Sequence, residues 1–253
     1  MQIARFLHTE GKAPLFGVIK DDVIQEISDP FGEIKEGRGI FPREKVKLLS
    51  PTLPSKIVAV GLNYRHHAQE LKQQIPENPI IFLKPSTAAL SPHDFILLPS
   101  SSNQVDYEGE LAVIIKKKAH KVKVSQVEEY ILGYTCFNDV TARDLQKKDG
   151  QWTRAKSFDT FAPFGPWIET EIEPGNLNIR TYVNGHKKQD SNARELLFPV
   201  PVLISFISEV MTLLPGDVIA TGTPEGVGPL HPGDIVEVEI ENIGILRNPV
   251  KGE

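Results

Sequence analysis

Short apolar runs broken by glycine and proline dominate the chain, and most are too short to form helices. Lys56–Gly61 and Ile131–Phe137 are nearly continuous apolar runs, which is typical of strands buried on both faces. Further strands are predicted at 16–19, 23–27, 80–83, 108–115, 167–168, 179–183, 218–220 and 235–240. Helices are predicted only at 66–74 and 202–213. The pattern therefore predicts a mainly β protein of the α+β class.

The beginning of the chain is predicted to form a small β unit of its own. Two apolar runs, at 16–19 and 23–27, flank an Asp-Asp turn, as expected for a β-hairpin. Prolines at 51 and 54 bracket a connector that follows this unit. We therefore predict an N-terminal β unit at 1–50 and a main domain at 51–253. No long internal repeat is present, which argues against a tandem duplication.

Composition and charge exclude several classes of protein. The 253 residues are 40% hydrophobic and 24% charged, so a disordered, collagen-like or coiled-coil chain is excluded. A net charge of −5 gives no reason to expect a nucleic-acid partner. The longest uncharged stretch, Leu196–Ser208, is broken by two prolines and is shorter than the ~20 residues of a membrane helix. A single cysteine, Cys136, and charged residues near the N-terminus favour a cytoplasmic protein.

Two glutamates in one predicted strand are the first candidate for chemistry. Residues two apart in a strand face the same side, so Glu108 and Glu110 are expected to project together. Their charges repel unless a cation or a shared proton lies between them. With a third carboxylate they would form an all-oxygen site suited to Mg²⁺, Mn²⁺ or Ca²⁺. The alternative is a solvent-facing strand with ordinary charges.

Asp139 is the natural third ligand because it directly follows the predicted strand at 131–137. Arg143 lies one helical turn further on and could bind a substrate carboxylate by donating two parallel hydrogen bonds to it. In the alternative interpretation, Asp139 is a helix cap and Arg143 makes a surface ion pair.

Three further segments carry candidate catalytic groups. His67 and Glu70 lie three residues apart on a predicted helix, where a carboxylate could orient an imidazole that acts as a general base. Lys156 lies among apolar residues and could stabilise an enolate. The Gly/Thr-rich loop at 220–228 offers backbone N–H groups to an anion. The alternatives are a solvated His–Glu pair, a lysine that extends to solvent and an ordinary surface turn.

Together these segments resemble the fumarylacetoacetate hydrolase family. The matching motifs are Gly-Leu-Asn-Tyr-x-x-His-x-x-Glu at 61–70, Tyr-Glu-Gly-Glu-Leu at 107–111, Asn-Asp-Val-Thr-Ala-Arg-Asp at 138–144, Lys-Ser-Phe-Asp-Thr-Phe at 156–161 and Thr-Gly-Thr-Pro-Glu-Gly-Val-Gly at 221–228. Each motif is weak alone, but five in order are specific. The resemblance implies a mixed β-sandwich roll, usually a homodimer, with a lid at 64–78.

The resemblance also assigns roles to individual residues. It implies that Glu108, Glu110 and Asp139 bind a divalent metal, Mg²⁺ or Mn²⁺ with Ca²⁺ as a possibility. It implies a His67–Glu70 catalytic dyad with Lys156 as a third catalytic residue. The predicted substrate contacts are Arg143, Gln146, Thr223 and Tyr64. His66 departs from the pattern of many relatives, which have an acidic residue there, and leaves two adjacent histidines as candidates.

The implied substrate is a small 2-oxo or 2-hydroxydienoic acid that reacts through a metal-stabilised enolate. Similarity to single-copy bacterial members favours a 2-hydroxyhepta-2,4-diene-1,7-dioate isomerase-like activity. Acylpyruvate hydrolysis and oxaloacetate decarboxylation share the same intermediate and stay open. Two alternatives of other classes are a metal-free glycosidase that uses Glu108 and Glu110, and a non-catalytic β-rich binding protein.

Overall fold

A computed structural model describes residues 1–9, 11, 13–70 and 72–253. Within this part of the chain the strands are β1 (Gln2–His8), β2 (Leu15–Lys20), β3 (Val23–Ile27), β4 (Glu36–Pro42), β5 (Val46–Leu48), β6 (Ile57–Gly61), β7 (Ile80–Lys84), β8 (Ala89–Leu90), β9 (Ile96–Leu98), β10 (Val105–Tyr107), β11 (Gly109–Ile115), β12 (Ile131–Asn138), β13 (Thr141–Ala142), β14 (Ala162–Glu169), β15 (Asn178–Val183), β16 (His186–Asn192), β17 (Val218–Ala220), β18 (Gly228–Pro229), β19 (Ile235–Ile240) and β20 (Gly244–Gly252).

The helices are few and short. They are α1 (Arg65–Glu70), α2 (Arg143–Asp149), α3 (Thr153–Lys156) and α4 (Val200–Val210). Single 3₁₀ segments lie at Arg43–Lys45, Ser86–Ala88, Val124–Tyr130, Pro174–Asn176 and Ala193–Glu195. Among the described residues, no helix has both the length and the apolar character required to cross a bilayer.

Most strands belong to one large mixed sheet. Its order is β4-β3-β2-β1-β14-β12-β11-β17-β6-β7, with β5 added beside β1 and β8 beside β14. A second sheet has the order β16-β15-β19-β20-β9, and a small third sheet the order β13-β10-β18. Most pairs are antiparallel, whereas β17–β6, β14–β8 and β20–β9 are parallel. These mixed sheets confirm the predicted α+β fold of the fumarylacetoacetate hydrolase type.

The centre of the large sheet is buried on both faces. Leu111 and Val113 of β11 pack into one apolar cluster, together with residues of the second sheet and of α4. Ala112 and Ile114 pack into another cluster on the opposite face. Alternate residues of a strand face opposite sides, so the continuous apolar run in β11 is required by burial on both faces.

The N-terminal strands continue the large sheet. The predicted hairpin is confirmed, because β2 and β3 pair antiparallel across a turn in which Asp21 has a positive φ of 53°. Strand β1 pairs with β14, where Ile3 lies opposite Ile168. The segment at 1–50 thus shares hydrogen bonds and core contacts with the body.

Two helix predictions and one strand prediction need correction. The helix predicted at 66–74 comprises Arg65–Glu70, and the one at 202–213 comprises Val200–Val210. Residue 71 lies outside the described residues. The strand predicted from Glu108 begins at Gly109. Glu108 itself lies between β10, which ends at Tyr107, and β11. The sequence prediction missed ten strands. Polar residues or glycines interrupt the apolar pattern of the long ones, and the others have only two or three residues: β1, β4, β5, β8, β9, β10, β13, β16, β18 and β20.

Candidate active site

Three buried carboxylates meet where β11 begins and β12 ends. Glu110 lies opposite Phe137 in the antiparallel pair, and Gly109 lies opposite Asn138. This register places Glu108 and Glu110 beside Asp139, whose backbone N–H donates to the Glu108 carbonyl at 2.8 Å. One carboxylate oxygen of each of the three residues lies within 4.8 Å of the others. We call this group the carboxylate triad.

The two glutamates of the triad have opposite electrostatic environments. Burial alone would raise the pKa of Glu108, but Lys156 and Arg143 hold that pKa well below its ordinary value. Burial, together with the negative charges of Asp139 and Glu108, raises the pKa of Glu110 well above its ordinary value. Glu108 is therefore an anion, whereas Glu110 favours a proton or a cation.

Two buried lysines neutralise Asp139. Lys156 Nζ lies 2.6 Å from Asp139 Oδ2 and 2.9 Å from Glu108 Oε2. Lys84 Nζ pairs with Asp139 Oδ1 and donates to the Val140 carbonyl at 3.1 Å. Burial lowers the pKa of Lys84 from 10.5 to about 8, an effect that Asp139 opposes. Burial also acts against the charge on Lys156, but Asp139 and Glu108 raise its pKa.

The charges and donor atoms of the triad fit a divalent metal ion. The buried carboxylates of Asp106, Glu108, Glu110 and Asp139 face the three buried cations Lys84, Arg143 and Lys156, so one negative charge is left without a counter-charge. The raised pKa of Glu110 indicates that its carboxylate is the one without a counter-charge. Carboxylate oxygens suit Mg²⁺, Mn²⁺ and Ca²⁺. The triad could therefore bind such an ion.

Arg143 is placed to hold Glu108. Its Nε donates to Asp106 at 2.8 Å, one terminal nitrogen pairs with Glu108, and the other donates to Gln146 Oε1 at 2.6 Å. Three of the five N–H donors of the guanidinium are therefore used within the protein. Arg143 borders the cavity at the triad, as does Gln146. Its observed contacts indicate that it orients Glu108.

The predicted histidine dyad is present on the same cavity. His67 is buried, and its Nδ1 lies 3.0 Å from Glu70 Oε2. The other oxygen of Glu70 accepts from the backbone N–H of Gly226 at 3.0 Å, which joins α1 to the 221–228 loop. His66, by contrast, is exposed and lies 3.7 Å from Glu225. The structure thus separates the two candidates: only His67 lines the cavity.

Two of the predicted substrate contacts, Thr223 and Tyr64, present no free hydroxyl to the cavity. The Thr223 hydroxyl lines the cavity but donates to the Gly109 carbonyl and accepts from Gln189 Nε2, so its proton is committed to the protein. Tyr64 is 1% exposed and packs in the core cluster below β6 and β11. It does not line the cavity, and its hydroxyl makes no hydrogen bond among the described residues.

An apolar wall faces the carboxylate triad. The cavity has a volume of about 100 Å³, and Val60, Leu62, Phe82 and Trp152 form its apolar side. The Phe82 and Trp152 rings meet edge to face at 5.2 Å, and Lys156 Nζ lies 5.0 Å from the Phe82 ring centre. A Cβ at Gly61 would lie 2.6 Å from the indole, so glycine is required for Trp152 to pack there.

Lys84 is the site residue that sequence reasoning missed. It ends the apolar run at 80–83 and precedes Pro85, a position at which a lysine ordinarily reaches solvent. Its side chain is instead fully buried behind Asp139 and does not line the cavity. Asp106 was likewise missed, although it follows the alternating pattern of Glu108 and Glu110. Only the folded structure reveals that both residues support ligands of the triad.

Replacing Lys84 tests this supporting role. We expect Lys84→Met to lower the free energy of unfolding of the metal-free protein by about 3 kcal/mol, because Asp139 loses a buried partner. A divalent cation should restore part of the loss. Urea unfolding with and without Mn²⁺ measures both effects. Lys56→Met is the control, since Asp217 keeps hydrogen bonds from Ser55. A Lys84→Met protein as stable as the wild type would contradict the role.

Comparisons with known proteins agree with this geometry. Residues 56–251 match the fumarylacetoacetate (FAA) hydrolase C-terminal family, and residues 1–51 match the Rv2993c-like N-terminal family. The 5-carboxymethyl-2-hydroxymuconate delta-isomerase of Mycobacterium smegmatis is 46% identical, with a TM-score of 0.94 and complete coverage of both chains. The 2-hydroxyhepta-2,4-diene-1,7-dioate isomerase of Mycobacterium marinum is 44% identical, with a TM-score of 0.92 over 100% of this chain and 99% of that one.

A curated relative adds a related activity. The mitochondrial oxaloacetate tautomerase of Rattus norvegicus is 44% identical over 223 residues, which cover 83% of this chain and 71% of that protein. These relatives are enzymes, so the glycosidase and binding-protein alternatives are set aside. With a family match over most of its length and five motifs around one cavity, the chain is an enzyme that belongs to the fumarylacetoacetate hydrolase family.

Proposed function

We propose that the protein is a divalent-metal-dependent enzyme that moves a proton within a small 2-oxo or 2-hydroxydienoic acid. The most specific form of the proposal is a 2-hydroxyhepta-2,4-diene-1,7-dioate isomerase-like activity. The observation that carries it is the position of His67, which is held by Glu70 on the same cavity as the carboxylate triad.

Glu108, Glu110 and Asp139 would hold the metal ion, with Mg²⁺ or Mn²⁺ preferred and Ca²⁺ possible. When bound, such an ion acts as a Lewis acid that polarises an oxygen of the substrate. Neighbouring groups hold both glutamates of the triad in the state that a metal ion requires. Lys156 and Arg143 keep Glu108 ionised, and the Gly222 N–H donates to Glu110 Oε2 at 2.8 Å, which orients its carboxylate.

His67 would move the proton. Glu70 is a carboxylate, so its hydrogen bond with Nδ1 is made when Nδ1 carries the hydrogen, which leaves Nε2 as the basic nitrogen. With a 2-hydroxydienoic acid, a base of this kind removes the enol O–H proton, and the imidazolium returns a proton to a carbon of the diene, which gives a 2-oxo acid. With a 2-oxo acid, the base removes a proton from the carbon beside the oxo group, and the oxo oxygen takes up a proton to give the enol. Glu70 also stabilises the imidazolium that forms, and the Gly226 N–H keeps Glu70 in position.

Lys156 would place positive charge beside the substrate oxygen. Its Nζ is buried between Glu108 and Asp139 and also lines the cavity. A buried ammonium stabilises negative charge that develops on a nearby oxygen more strongly than an exposed one does, because little water screens it. The activities named for the two mycobacterial isomerases and the rat tautomerase support proton transfer over bond cleavage for this chain as well.

A substrate panel tests the proposal. Protein loaded with Mg²⁺ or Mn²⁺ is assayed on 2-hydroxyhepta-2,4-diene-1,7-dioate, an acylpyruvate and oxaloacetate. We expect loss of the enol absorbance together with deuterium uptake from ²H₂O by the recovered product, both abolished by a chelator. Cleavage products from the acylpyruvate would instead identify a hydrolase, and CO₂ from oxaloacetate a decarboxylase. No turnover of any of the three by metal-loaded protein would overturn the proposal.

The proposal includes assembly as a homodimer, in line with the family resemblance. Light scattering after gel filtration would then give twice the chain mass of 28.1 kDa. A mass equal to that of one chain at micromolar concentration would contradict it.

A further inference from the structure

The mouth of the cavity carries a cation that nothing in the described part of the protein neutralises. Lys147 lies in α2, is exposed and lines the cavity. It makes no ion pair or hydrogen bond among the described residues, whereas Lys84, Arg143 and Lys156 are all paired inside the site. A cation left without a partner at the entrance of an anion-binding cavity is available to a ligand.

The neighbouring residue presents a donor to the same region. Arg143 donates to Gln146 Oε1 at 2.6 Å, which fixes the side-chain amide with its oxygen toward the guanidinium. The Gln146 NH₂ group consequently points away from Arg143, and Gln146 lines the cavity beside Lys147. An amide donor and an ammonium group thus belong to two neighbouring residues that both line the cavity, a combination that suits a carboxylate.

The cavity that Lys147 and the carboxylate triad share is also lined by apolar side chains. Trp152 and Phe82 offer ring surface there, and Val60 and Leu62 add aliphatic surface. A ligand that reaches both ends would place a hydrocarbon segment against these side chains and a charged group at each end. This polarity pattern matches a dicarboxylic acid with an unsaturated or aliphatic middle section.

We propose that Lys147, with Gln146, binds the distal carboxylate of the substrate and so makes the enzyme selective for 2-oxo dicarboxylic acids over 2-oxo monocarboxylic acids. The inference rests on the proposed function, because it takes the triad end of the cavity as the site of the 2-oxo acid group. It assigns Lys147 a substrate carboxylate in addition to the one that sequence reasoning assigned to Arg143, three of whose five N–H donors already bond Asp106, Glu108 and Gln146.

The test compares two saturated 2-oxo acids that differ only in the distal group. Binding of 2-oxoheptanedioate and of 2-oxoheptanoate to Mn²⁺-loaded protein is measured by calorimetry. We expect the wild type to prefer the dicarboxylate by about fivefold, a preference that decreases as salt is added. Lys147→Met should remove the preference by weakening the dicarboxylate alone, and Lys147→Arg should keep it. Lys148→Met is the matched control, because Lys148 is equally exposed but does not line the cavity.

The possible outcomes separate this inference from the proposed function. Equal affinity of the wild type for both acids, or an equal effect of Lys147→Met and Lys148→Met, overturns the inference and leaves the proposed function standing. A Lys147-dependent preference without turnover of any substrate in the panel supports the inference and overturns the proposed function. Failure of both acids to bind the metal-loaded wild type overturns both.

Discussion

Glu110→Gln is expected to abolish tight binding of divalent metal while leaving the protein folded. The substitution keeps the length of the side chain and an oxygen that can accept from the Gly222 N–H, but it removes one of the three carboxylates of the triad. Loss of residues that merely orient metal ligands typically weakens binding 10–100-fold, so loss of a ligand charge should exceed about 100-fold. Titration calorimetry with Mn²⁺ on the metal-free protein measures the change.

The same substitution should stabilise the metal-free protein, and the sign follows from the pKa of Glu110. That pKa is raised in the folded state. Above pH 4.5, the ordinary pKa of a glutamate, the unfolded chain therefore releases a proton that the folded protein still keeps. The wild type therefore loses stability as the pH rises above 4.5 toward the folded-state pKa. The amide that replaces the carboxyl group does not titrate, so the advantage of the variant grows over this range, by at most about 1.4 kcal/mol per pH unit.

Asp106→Asn provides the matched control for both effects. Asp106 is buried and lies two residues from Glu108, but it bonds Arg143 and Gln104 and is not a member of the triad. We expect its replacement to weaken metal binding less than about tenfold, as for a residue that only orients a ligand. If Glu110→Gln and Asp106→Asn weaken Mn²⁺ binding equally, the total negative charge of the buried carboxylates attracts the metal. In that case the triad does not coordinate it. Equal stability of Glu110→Gln and wild type at all pH values would contradict the raised pKa.

Local sequence pattern predicted the triad because its members are tied to strand ends. The apolar run at 131–137 had to be a buried strand, and Asp139 directly after it had to leave the sheet at its edge. Glu108 and Glu110 were found by their spacing, although the strand begins only at Gly109. Glu108 lies between β10 and β11, but its carboxylate still lies beside those of Glu110 and Asp139.

Contacts between distant segments could not be predicted from the pattern. Lys84 contacts Asp139 across 55 positions of sequence, and Glu70 contacts Gly226 across 156. A lysine at the end of a strand and a glutamate at the end of a short helix have the same local pattern whether they are buried or solvated. The pattern also could not show the partners of Arg143 within the protein, the carboxylates of Asp106 and Glu108.

His67→Ala is expected to lower kcat by roughly 10²–10⁴-fold, the usual contribution of a general base. The imidazole is buried, lines the cavity and has one nitrogen fixed by Glu70, and no other imidazole lines the cavity among the described residues. Affinity for Mn²⁺ should change little, since His67 is not a member of the triad. Steady-state turnover and calorimetry on the same preparation distinguish loss of catalysis from loss of metal.

His66→Ala is the control that makes this prediction decisive. His66 is the adjacent residue on α1, so the two variants perturb the same helix, but its side chain is 60% exposed and lies near Glu225 outside the cavity. We expect His66→Ala to retain kcat within about threefold, because an exposed imidazole pair of this kind contributes little. Glu70→Gln should lie between the two variants, since it leaves the base in place but no longer stabilises the imidazolium. If His66→Ala loses as much activity as His67→Ala, the whole helix matters for closure of the cavity and the assignment of His67 as the base is wrong.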